Sequence, residues 1–287
     1  MDRKPLKNFG YEYDVDFSSM SDEDIKYFGR QIVKDNVILV RNQTINEERL
    51  LHILEQIGNV LKPDQFFMHP DYPGLFRVTN ERKEGEKIGI FADKELDWHS
   101  NGNGRKSGTE ACVMLYCLRP GKNSVTSFCD TRQAYNDLSE EDKMYYDDID
   151  CTFKFENNTF YHLEEDDKEL AMFKGGARAF KYGVTKPLVY THPYTKEKGL
   201  YFTFHYIRDM WKRIENGDED HEDVNMEEHM VKLKKHVFQD KYMYHHDDWR
   251  PGDLIFMDQF HSIHKRNAVE GDRFLYRASF GYENCQQ

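Results

Sequence analysis

The spacing of apolar side chains predicts two helices near the N-terminus, with one strand between them. Ser21 is followed by three acidic residues, a typical helix start. The segment 22–33 then carries apolar residues three and four positions apart, the pattern of one buried helix face. The segment 46–57 has the same pattern and stops before Gly58, a residue type that often ends helices. The intervening run 36–41 (Asn-Val-Ile-Leu-Val-Arg) predicts a buried strand.

From about residue 108 onward, short runs of β-type residues alternate with turns rich in glycine, proline and asparagine. The predicted strands are 111–118, 125–128, 200–204, 254–257 and 274–281. Residues 62–96 predict loops, and the charged stretch 205–240 predicts a helical insert. Its acidic segment 216–223 predicts a solvated loop; a calcium site is the alternative, but the regular ligand spacing of a calcium loop is missing.

Many short strands, with helices mostly at the N-terminal end, predict a mainly β fold with flanking helices (α+β). The expected arrangement is a double-sheet jelly roll of the cupin type, a double-stranded β-helix, in which the helices support one sheet. The sequence contains no internal repeat and no linker rich in proline, glycine or serine. We therefore expect one domain over residues 1–287, with a core of about 10–282.

The charge balance narrows the class of partner. The 287 residues include 40 Lys and Arg against 52 Asp and Glu, a formal charge of −12. An acidic surface argues against nucleic acid and against an anionic membrane surface. No apolar run reaches the roughly 18 residues that a membrane span needs. A small molecule is the expected partner, and the sequence leaves the oligomeric state open, a homo-oligomer included.

The cysteines bear on the compartment. The chain has five cysteines, an odd number, and none of them forms a Cys-x-x-Cys pair. The first 20 residues are charged and polar, unlike a secretory leader. These features predict reduced thiols and a cytoplasmic protein.

Two histidines and one arginine stand in an order that suits a non-haem iron site. His264 follows His99 by 165 residues, and Arg277 comes 13 residues later. An iron(II) oxygenase needs two imidazoles and usually one carboxylate on one face of the metal, with the other positions open for co-substrate and O2. A late arginine can hold a carboxylate through two charge-assisted hydrogen bonds. His261 competes with His264, but its odd spacing places it on the opposite face of a strand.

The motifs around these residues resemble those of the taurine dioxygenase and 2,4-dichlorophenoxyacetate dioxygenase (TauD/TfdA-like) family of iron(II)/2-oxoglutarate oxygenases. The resemblance covers roughly residues 10–282 and keeps its motifs in order. The matching segments are Val37–Gln43, His69-Pro70-Asp71-Tyr72, Trp98-His99-Ser100, Val125–Phe128 with Ala134–Ser139, Lys186–Pro193 and Trp249–Leu254.

The resemblance implies roles at the metal and at the co-substrate. His99 and His264 would ligate iron(II). Arg277 would bind the distal carboxylate of 2-oxoglutarate, with help from the hydroxyl of Thr126, although a threonine in a strand is also a common β-former. Arg273 would also approach the co-substrate, with a surface ion pair as the alternative.

The resemblance also implies a reaction and a substrate loop. The enzyme would couple the decarboxylation of 2-oxoglutarate to succinate with the O2-dependent oxidation of a C–H bond. His69 and Tyr72 would face the primary substrate, or would simply pack within their loop. The loop suggests a small polar compound that carries an amine or an anionic group. His192, which precedes a proline, is expected to be structural.

One position departs from the family pattern. The third ligand expected is an aspartate two residues after the first histidine, and this chain has Asn101 there. A neutral amide oxygen is a weaker ligand for a hard divalent metal than a carboxylate. Three interpretations stay open. Asn101 coordinates the metal, directly or through water, and the enzyme hydroxylates or desaturates; or the position accepts a halide and the enzyme is a halogenase; or catalysis is lost and the protein only binds a ligand. Asp97 would have to reach across its strand to replace the missing acid.

Overall fold

A computed structural model describes residues 1–62, 67–90, 93–102, 110–156, 170–171, 174, 182–214 and 221–285. The helices include α1 (Asp22–Asp35), α2 (Glu47–Ile57), α3 (Thr131–Asn136), α4 (Glu140–Asp147) and α5 (Met226–Val237). The strands of the first half are β1 (Asp2–Pro5), β2 (Tyr11–Asp14), β3 (Val37–Val40), β4 (Phe76–Thr79), β5 (Arg82–Lys83), β6 (Glu86–Lys87), β7 (Leu96–His99), β8 (Cys112–Lys122), β9 (Thr126–Asp130) and β10 (Ile149–Phe153). The strands of the second half are β11 (Val184–Pro187), β12 (Val189–Thr191), β13 (Lys198–Leu200), β14 (Ile207–Arg213), β15 (His221–Asp223), β16 (Met243–His246), β17 (Leu254–Asp258), β18 (Ser262–Arg266) and β19 (Glu270–Phe280).

Two sheets face each other across a common core. The larger sheet has the strand order β1-β2-β3-β17-β8-β19-β4, and the smaller has the order β16-β9-β18-β7. Leu39, Ile255 and Leu275 of the larger sheet share one buried cluster with Phe128 and Tyr244 of the smaller sheet. Because side chains alternate along a strand, every second residue enters this space. Residues on these inner faces are shielded from water.

Helices α1 and α2 cover the outer face of the larger sheet, and strand β3 shows why. Ile38 and Val40 pack with the helices in a second buried cluster, whereas Val37 and Leu39 face the inner core. A short run that is apolar on both faces is typical of a fully buried strand. The strand predicted at 36–41 is therefore confirmed, with β3 as its centre.

Both N-terminal helices begin where the sequence predicts, and the second also ends where it predicts. The side chain of Ser21 accepts a hydrogen bond from the backbone N–H of Asp24, and Asn46 accepts one from Arg49 at the start of α2. Such caps satisfy N–H groups that have no partner inside the helix. Helix α2 ends at Gly58. These two predictions are confirmed.

The helical insert predicted for residues 205–240 is wrong over its first part. Ile207–Arg213 is strand β14, which pairs with β10 and β15, and within this stretch the longer helix is Met226–Val237. Ile207 and Met210 of the strand, and Ile214 just after it, stand three and four positions apart, as apolar residues would in a helix. Pairing with neighbouring strands overrides that local signal.

Two smaller predictions in the same region also change. The strand predicted at 200–204 is wrong beyond Leu200, where β13 ends, and residues 204–206 form a short 3-10 helix. Of the acidic segment 216–223, residues 216–220 lie outside the described residues, and 221–223 form the exposed strand β15. All five cysteines are free and buried. Within the described ranges, no helix has the length and apolar character that crossing a membrane requires.

Candidate active site

His99 and His264 lie side by side on neighbouring strands of the smaller sheet. His99 is the last residue of β7, His264 lies in β18, and the antiparallel register pairs the two directly. Their ring centroids are 4.2 Å apart. The ring of His264 also stacks on Phe128, with centroids 6.4 Å apart, which places the pair beside the core between the sheets. The fold thus joins two residues that are far apart in sequence.

Burial keeps both imidazoles neutral. It lowers the pKa of His99 to about 4 and holds the pKa of His264 well below its ordinary value. The neighbouring positive charge of Arg277 acts in the same direction on both rings. Neutral imidazole is the form that ligates a metal.

The hydrogen bonds of the pair suit a metal. Nδ1 of His99 lies 2.7 Å from the backbone carbonyl oxygen of Asp97, so Nδ1 carries the proton and donates it, and Nε2 keeps a lone pair. Metal-binding histidines usually show this arrangement. Nδ1 of His264 is buried and has no hydrogen-bond partner among the described residues, although buried polar groups nearly always have one. The two rings therefore fit the metal that the sequence predicts.

Asn101, the predicted third ligand, is tied to Gln259. The backbone N–H and the side-chain Nδ2 of Asn101 both donate to Oε1 of Gln259, at 2.8 and 3.1 Å. Gln259 is fully buried in the turn between β17 and β18. This contact links the segment that follows His99 to the turn that precedes His264. Ligation by Asn101 itself stays a prediction.

Arg277 already has a carboxylate partner. Its Nη2 atom donates to Oε2 of Glu110 at 2.7 Å and to Oγ of Ser279 at 2.9 Å, and the Ser279 hydroxyl donates to the same carboxylate. The side chains of Arg277 and Glu110 are 11% and 9% exposed. The guanidinium lies 5.5 Å from the ring centre of Phe76. Arg277 is thus near the two histidines, but its charge is balanced by Glu110.

Arg273 has the opposite environment. It is 2% exposed, and its Nε and Nη1 atoms lack hydrogen-bond partners within the described chain. Burial, together with the charge of Arg266, holds the pKa of Arg273 well below its ordinary value. None of the described carboxylates opposes that effect. Because a buried cation without a counter-ion is costly, this position would stabilise a bound carboxylate.

Thr126 lies opposite Arg266 on the neighbouring strand. It stands directly opposite Arg266 in the β9–β18 register, and the charge of Arg266 contributes to the lowered pKa of Arg273. The Thr126 Oγ1 atom accepts a hydrogen bond from Nε1 of Trp249 at 3.2 Å, so its own O–H is oriented to donate elsewhere. Thr126 is therefore a strand neighbour of Arg266, whose charge also acts on Arg273.

The loop that contains His69 and Tyr72 packs on the face of β19 that carries Tyr276, opposite to the face that carries Arg277. Nδ1 of His69 accepts the backbone N–H groups of Asp71 and Tyr72 at 3.2 and 3.1 Å, and the His69 ring meets the ring of Tyr276 at 5.8 Å. Tyr276 belongs to the cluster under the helices, whereas the next residue, Arg277, faces inward. The placement favours loop packing for His69 and Tyr72, and their substrate role stays a prediction that this structure does not support.

A second histidine cluster is formed by His192, Asp258 and His261, and hydrogen bonds hold it within its own turn. Its ligand-type atoms lie within 4.8 Å of one another. Nδ1 of His192 accepts two backbone N–H groups at 3.1 Å, so Nε2 carries the proton and donates to Oδ2 of Asp258 at 3.1 Å. Oδ1 of Asp258 accepts two backbone N–H groups of its own turn at 2.9 Å. These atoms fix the turn before His264, and the ring of His261 contacts the ring of His192, with centroids 4.7 Å apart.

A statistical model described as "Taurine catabolism dioxygenase TauD, TfdA family" matches residues 2–279 of the chain. The chain belongs to this family. An α-ketoglutarate-dependent 2,4-dichlorophenoxyacetate dioxygenase of Burkholderia sp. (strain RASC) is 22% identical, over 93% of this chain and 89% of its own length. The crystal structure of AAD-2 in complex with Mn(II) and N-oxalylglycine has a TM-score of 0.74 at 20% identity and covers 100% of both chains. A taurine dioxygenase from Burkholderia xenovorans has a TM-score of 0.71 at 17% identity, over 97% of this chain and 88% of that chain.

Membership of the TauD/TfdA family confirms the predicted family and the predicted enzyme class, a dioxygenase. It also confirms iron(II), 2-oxoglutarate and O2 as the cofactor and co-substrates expected of such an enzyme. The sheet-rich structure with a few helices agrees with the predicted mainly β fold.

Three side chains beside the site were not predicted from the sequence: Glu110, Gln259 and His205. The ring of His205 lies near His99; burial, and then the charge of His99, lower the pKa of His205 to about 3. Its Nδ1 atom is buried and lacks a hydrogen-bond partner in the described part. Glu110 and Gln259 act on residues 167 and 158 positions away, so no local pattern marks them.

Proposed function

We propose that this protein is an iron(II)/2-oxoglutarate-dependent oxygenase that hydroxylates, or otherwise oxidises, a C–H bond of a small polar molecule. The observation that carries the proposal is the side-by-side pair of neutral imidazoles, the half-buried His99 and the buried His264. Its place beside the core between two sheets agrees with the family of the chain. The formal charge of −12 supports a small-molecule substrate over nucleic acid.

His99 and His264 would hold the iron, with Asn101 as the third protein ligand. When bound, iron(II) with 2-oxoglutarate and O2 supplies the oxidising chemistry, and 2-oxoglutarate leaves as succinate and CO2. The protein contributes the ligands, their orientation and the exclusion of water. The inner faces of the two sheets serve the last purpose, since Phe128 beside His264 is fully buried.

For the distal carboxylate of 2-oxoglutarate, Arg273 is a better anchor than Arg277. Both lie on the inward-facing positions of β19, four residues and thus about 13 Å apart at roughly 3.3 Å per residue. Arg277 would first have to release Glu110, whereas Arg273 would gain the counter-ion that it lacks among the described residues. We therefore assign the distal carboxylate to Arg273, with Thr126 donating a further hydrogen bond.

The jelly roll belongs to the same proposal. Two facing sheets, with the candidate ligands on the smaller one, are what a double-stranded β-helix provides. The buried cluster shared by both sheets supports a single domain over 1–287 with its core at about 10–282. The cytoplasmic location stays a prediction from the sequence, and the oligomeric state stays open.

An anaerobic titration with iron(II) and 2-oxoglutarate tests the proposal. We expect a visible charge-transfer band of the metal–co-substrate chelate in the wild type and its loss in His264→Gln. His261→Gln is the matched control, because His261 is buried three residues earlier and faces the other cluster; it should keep the band. A wild type that gives no band, and releases no succinate in air, would reject the proposed function.

A further inference from the structure

The contact between Asn101 and Gln259 fixes which end of each amide faces the other. The two ends of a side-chain amide differ in their hydrogen bonding: the oxygen accepts and the NH2 group donates. Here the backbone N–H of residue 101 lies 2.8 Å from the Gln259 amide, and a backbone N–H can only donate. The Gln259 atom it meets must be Oε1. The Asn101 atom at 3.1 Å from that oxygen must then be Nδ2.

The orientation of Asn101 follows from this assignment. With Nδ2 turned to Gln259, the oxygen Oδ1 lies at the other end of the amide group. Only the oxygen of an amide is a ligand for a hard divalent cation; the NH2 group has donors and no lone pair to offer. Gln259 binds the nitrogen end of the Asn101 amide. It therefore determines that the oxygen end is the one available to a metal held by His99 and His264.

Gln259 is itself held rigidly. Its backbone N–H donates to the carbonyl oxygen of Ala111 at 2.9 Å. The preceding residue, Asp258, accepts the backbone N–H groups of Phe260 and His261 at 2.9 Å. Asp258 also accepts a hydrogen bond from the hydroxyl of Tyr282 at 3.0 Å. The turn between β17 and β18 is thus locked on both sides of Gln259, so its side chain reaches Asn101 from a fixed base.

We propose that Gln259 is a positioning residue for the metal centre: it holds the Asn101 amide with its oxygen, and not its nitrogen, turned to the metal. The inference rests on the proposed function, because it presumes a metal between His99 and His264. It also relates the residue that departs from the family pattern, Asn101, to a side chain that contacts it, Gln259. Oε1 of Gln259 matches the two donors that an asparagine offers at position 101, and an aspartate there would set a carboxylate against the same oxygen.

The locked geometry has a cost that supports a functional role. Nε2 of Gln259 is buried and has no hydrogen-bond partner among the described residues, which is an unfavourable state for an amide N–H. Turning the side-chain amide over would expose Nε2 to the donors of Asn101 and would leave the backbone N–H of that residue without its acceptor. The backbone N–H of residue 101 therefore determines the orientation of the Gln259 amide, and the Gln259 amide in turn determines the orientation of the Asn101 side chain.

The test measures Co(II) binding to the metal-free protein, with the cobalt absorption spectrum as a second readout. Gln259→Met keeps the shape of the side chain and removes the acceptor, so we expect Co(II) affinity to fall on the order of tenfold or more, as for other residues that orient metal ligands, and the spectrum to change. Gln259→Glu keeps an acceptor oxygen and should retain both the affinity and the wild-type spectrum. Gln259→Asn is one methylene too short to keep the contact and serves in place of Gln259→Met if that variant does not fold.

Gln43→Met is the matched control. Gln43 is also buried, and its Oε1 also accepts a backbone N–H, that of Phe17 at 2.8 Å, in the part of the fold under the helices. It should lower stability without changing Co(II) affinity or the spectrum. Wild-type affinity and spectrum in both Gln259→Met and Gln259→Asn would overturn the inference and leave the proposed function intact. Co(II) binding that is absent, or that is the same in His99→Gln and His264→Gln as in the wild type, would overturn both.

Discussion

Arg273 and Arg277 leave β19 on the same face, yet within the described residues only Arg277 meets a carboxylate. The difference separates two cations that the sequence presents as near equivalents. Arg277 lies close enough to the histidines to affect their pKa values, and Glu110 neutralises it. Arg273 lies deeper along the strand beside Arg266. A dicarboxylate whose other end is at the metal would find its counter-ion at the second position.

Substitution of the two arginines tests that assignment. We expect Arg273→Gln to weaken 2-oxoglutarate binding by about 2–5 kcal/mol, the cost of truncating one partner of a buried charge pair. Arg273→Lys should lose part of this, because a lysine keeps the charge but not the two-pronged contact. The measurement is the 2-oxoglutarate concentration that half-saturates the chelate band.

Arg277→Gln is the comparison for the same strand and the same residue type. It should change 2-oxoglutarate affinity less than Arg273→Gln does. The reverse order of effects would return the anchor to Arg277, as the sequence first predicts, and would mean that Glu110 gives way when the co-substrate binds.

Glu110 has a separate, measurable part in stability. In Glu110→Gln the buried Arg277 loses its counter-ion, and breaking a buried pair from one side typically costs about 3–5 kcal/mol. We expect a lower urea midpoint with little change in secondary structure. Ser279→Ala removes only the hydroxyl of the same network and should cost about 1 kcal/mol. Equal midpoints for Glu110→Gln and the wild type would show that the ion pair does not form in solution.

Much of the fold could be predicted because local signals and tertiary packing agree. Ser21 and Asn46 cap helices whose apolar faces are complete without help from the rest of the chain. Strand β14 could not be predicted, because Ile207 and Met210 have helical spacing and only their pairing with β10 makes them a strand. The spacing of these two apolar residues can be read from the sequence. Which strand lies next to them depends on the whole fold and cannot.

The site divides in the same way. His99 and His264 could be predicted, because their residue type and their order can be read from the sequence without knowledge of any contact. Strand pairing then brings them together. The roles of Gln259 and Glu110 could not be predicted, since each depends on one contact across more than 150 residues. The different surroundings of Arg273 and Arg277 have the same origin, as both stand at equivalent positions of one strand.

The half-buried His205 predicts a pH dependence of stability. Its pKa is about 3 in the folded protein, lowered first by burial, and ordinary in the unfolded chain. Between about pH 6.5 and pH 3 the unfolded state therefore binds more protons, so the stability that His205 allows is fully present above pH 6.5 and is lost as the pH falls. Each such histidine contributes a slope of up to about 1.4 kcal/mol per pH unit. In His205→Gln, urea unfolding at pH 4.5–6.5 should show a shallower slope; His221→Gln, on the exposed strand β15, should not. Parallel curves for the wild type and His205→Gln would contradict the prediction.

Asn101→Asp separates the three interpretations of the altered ligand position. A charged oxygen replaces a neutral one, so the variant should bind iron(II) more tightly, although the gain is limited because Oε1 of Gln259 faces position 101. If Asn101 is a working ligand, wild type and variant should both hydroxylate, and chloride should leave the products unchanged. If the position holds a halide, wild type should give a chlorinated product in chloride, and the variant mainly a hydroxylated one. If catalysis is lost, wild type should release no succinate with any substrate, while the variant regains slow turnover without product. Succinate release and product mass, with and without chloride, decide among these outcomes, and equal iron affinity in the two proteins would show that residue 101 does not touch the metal.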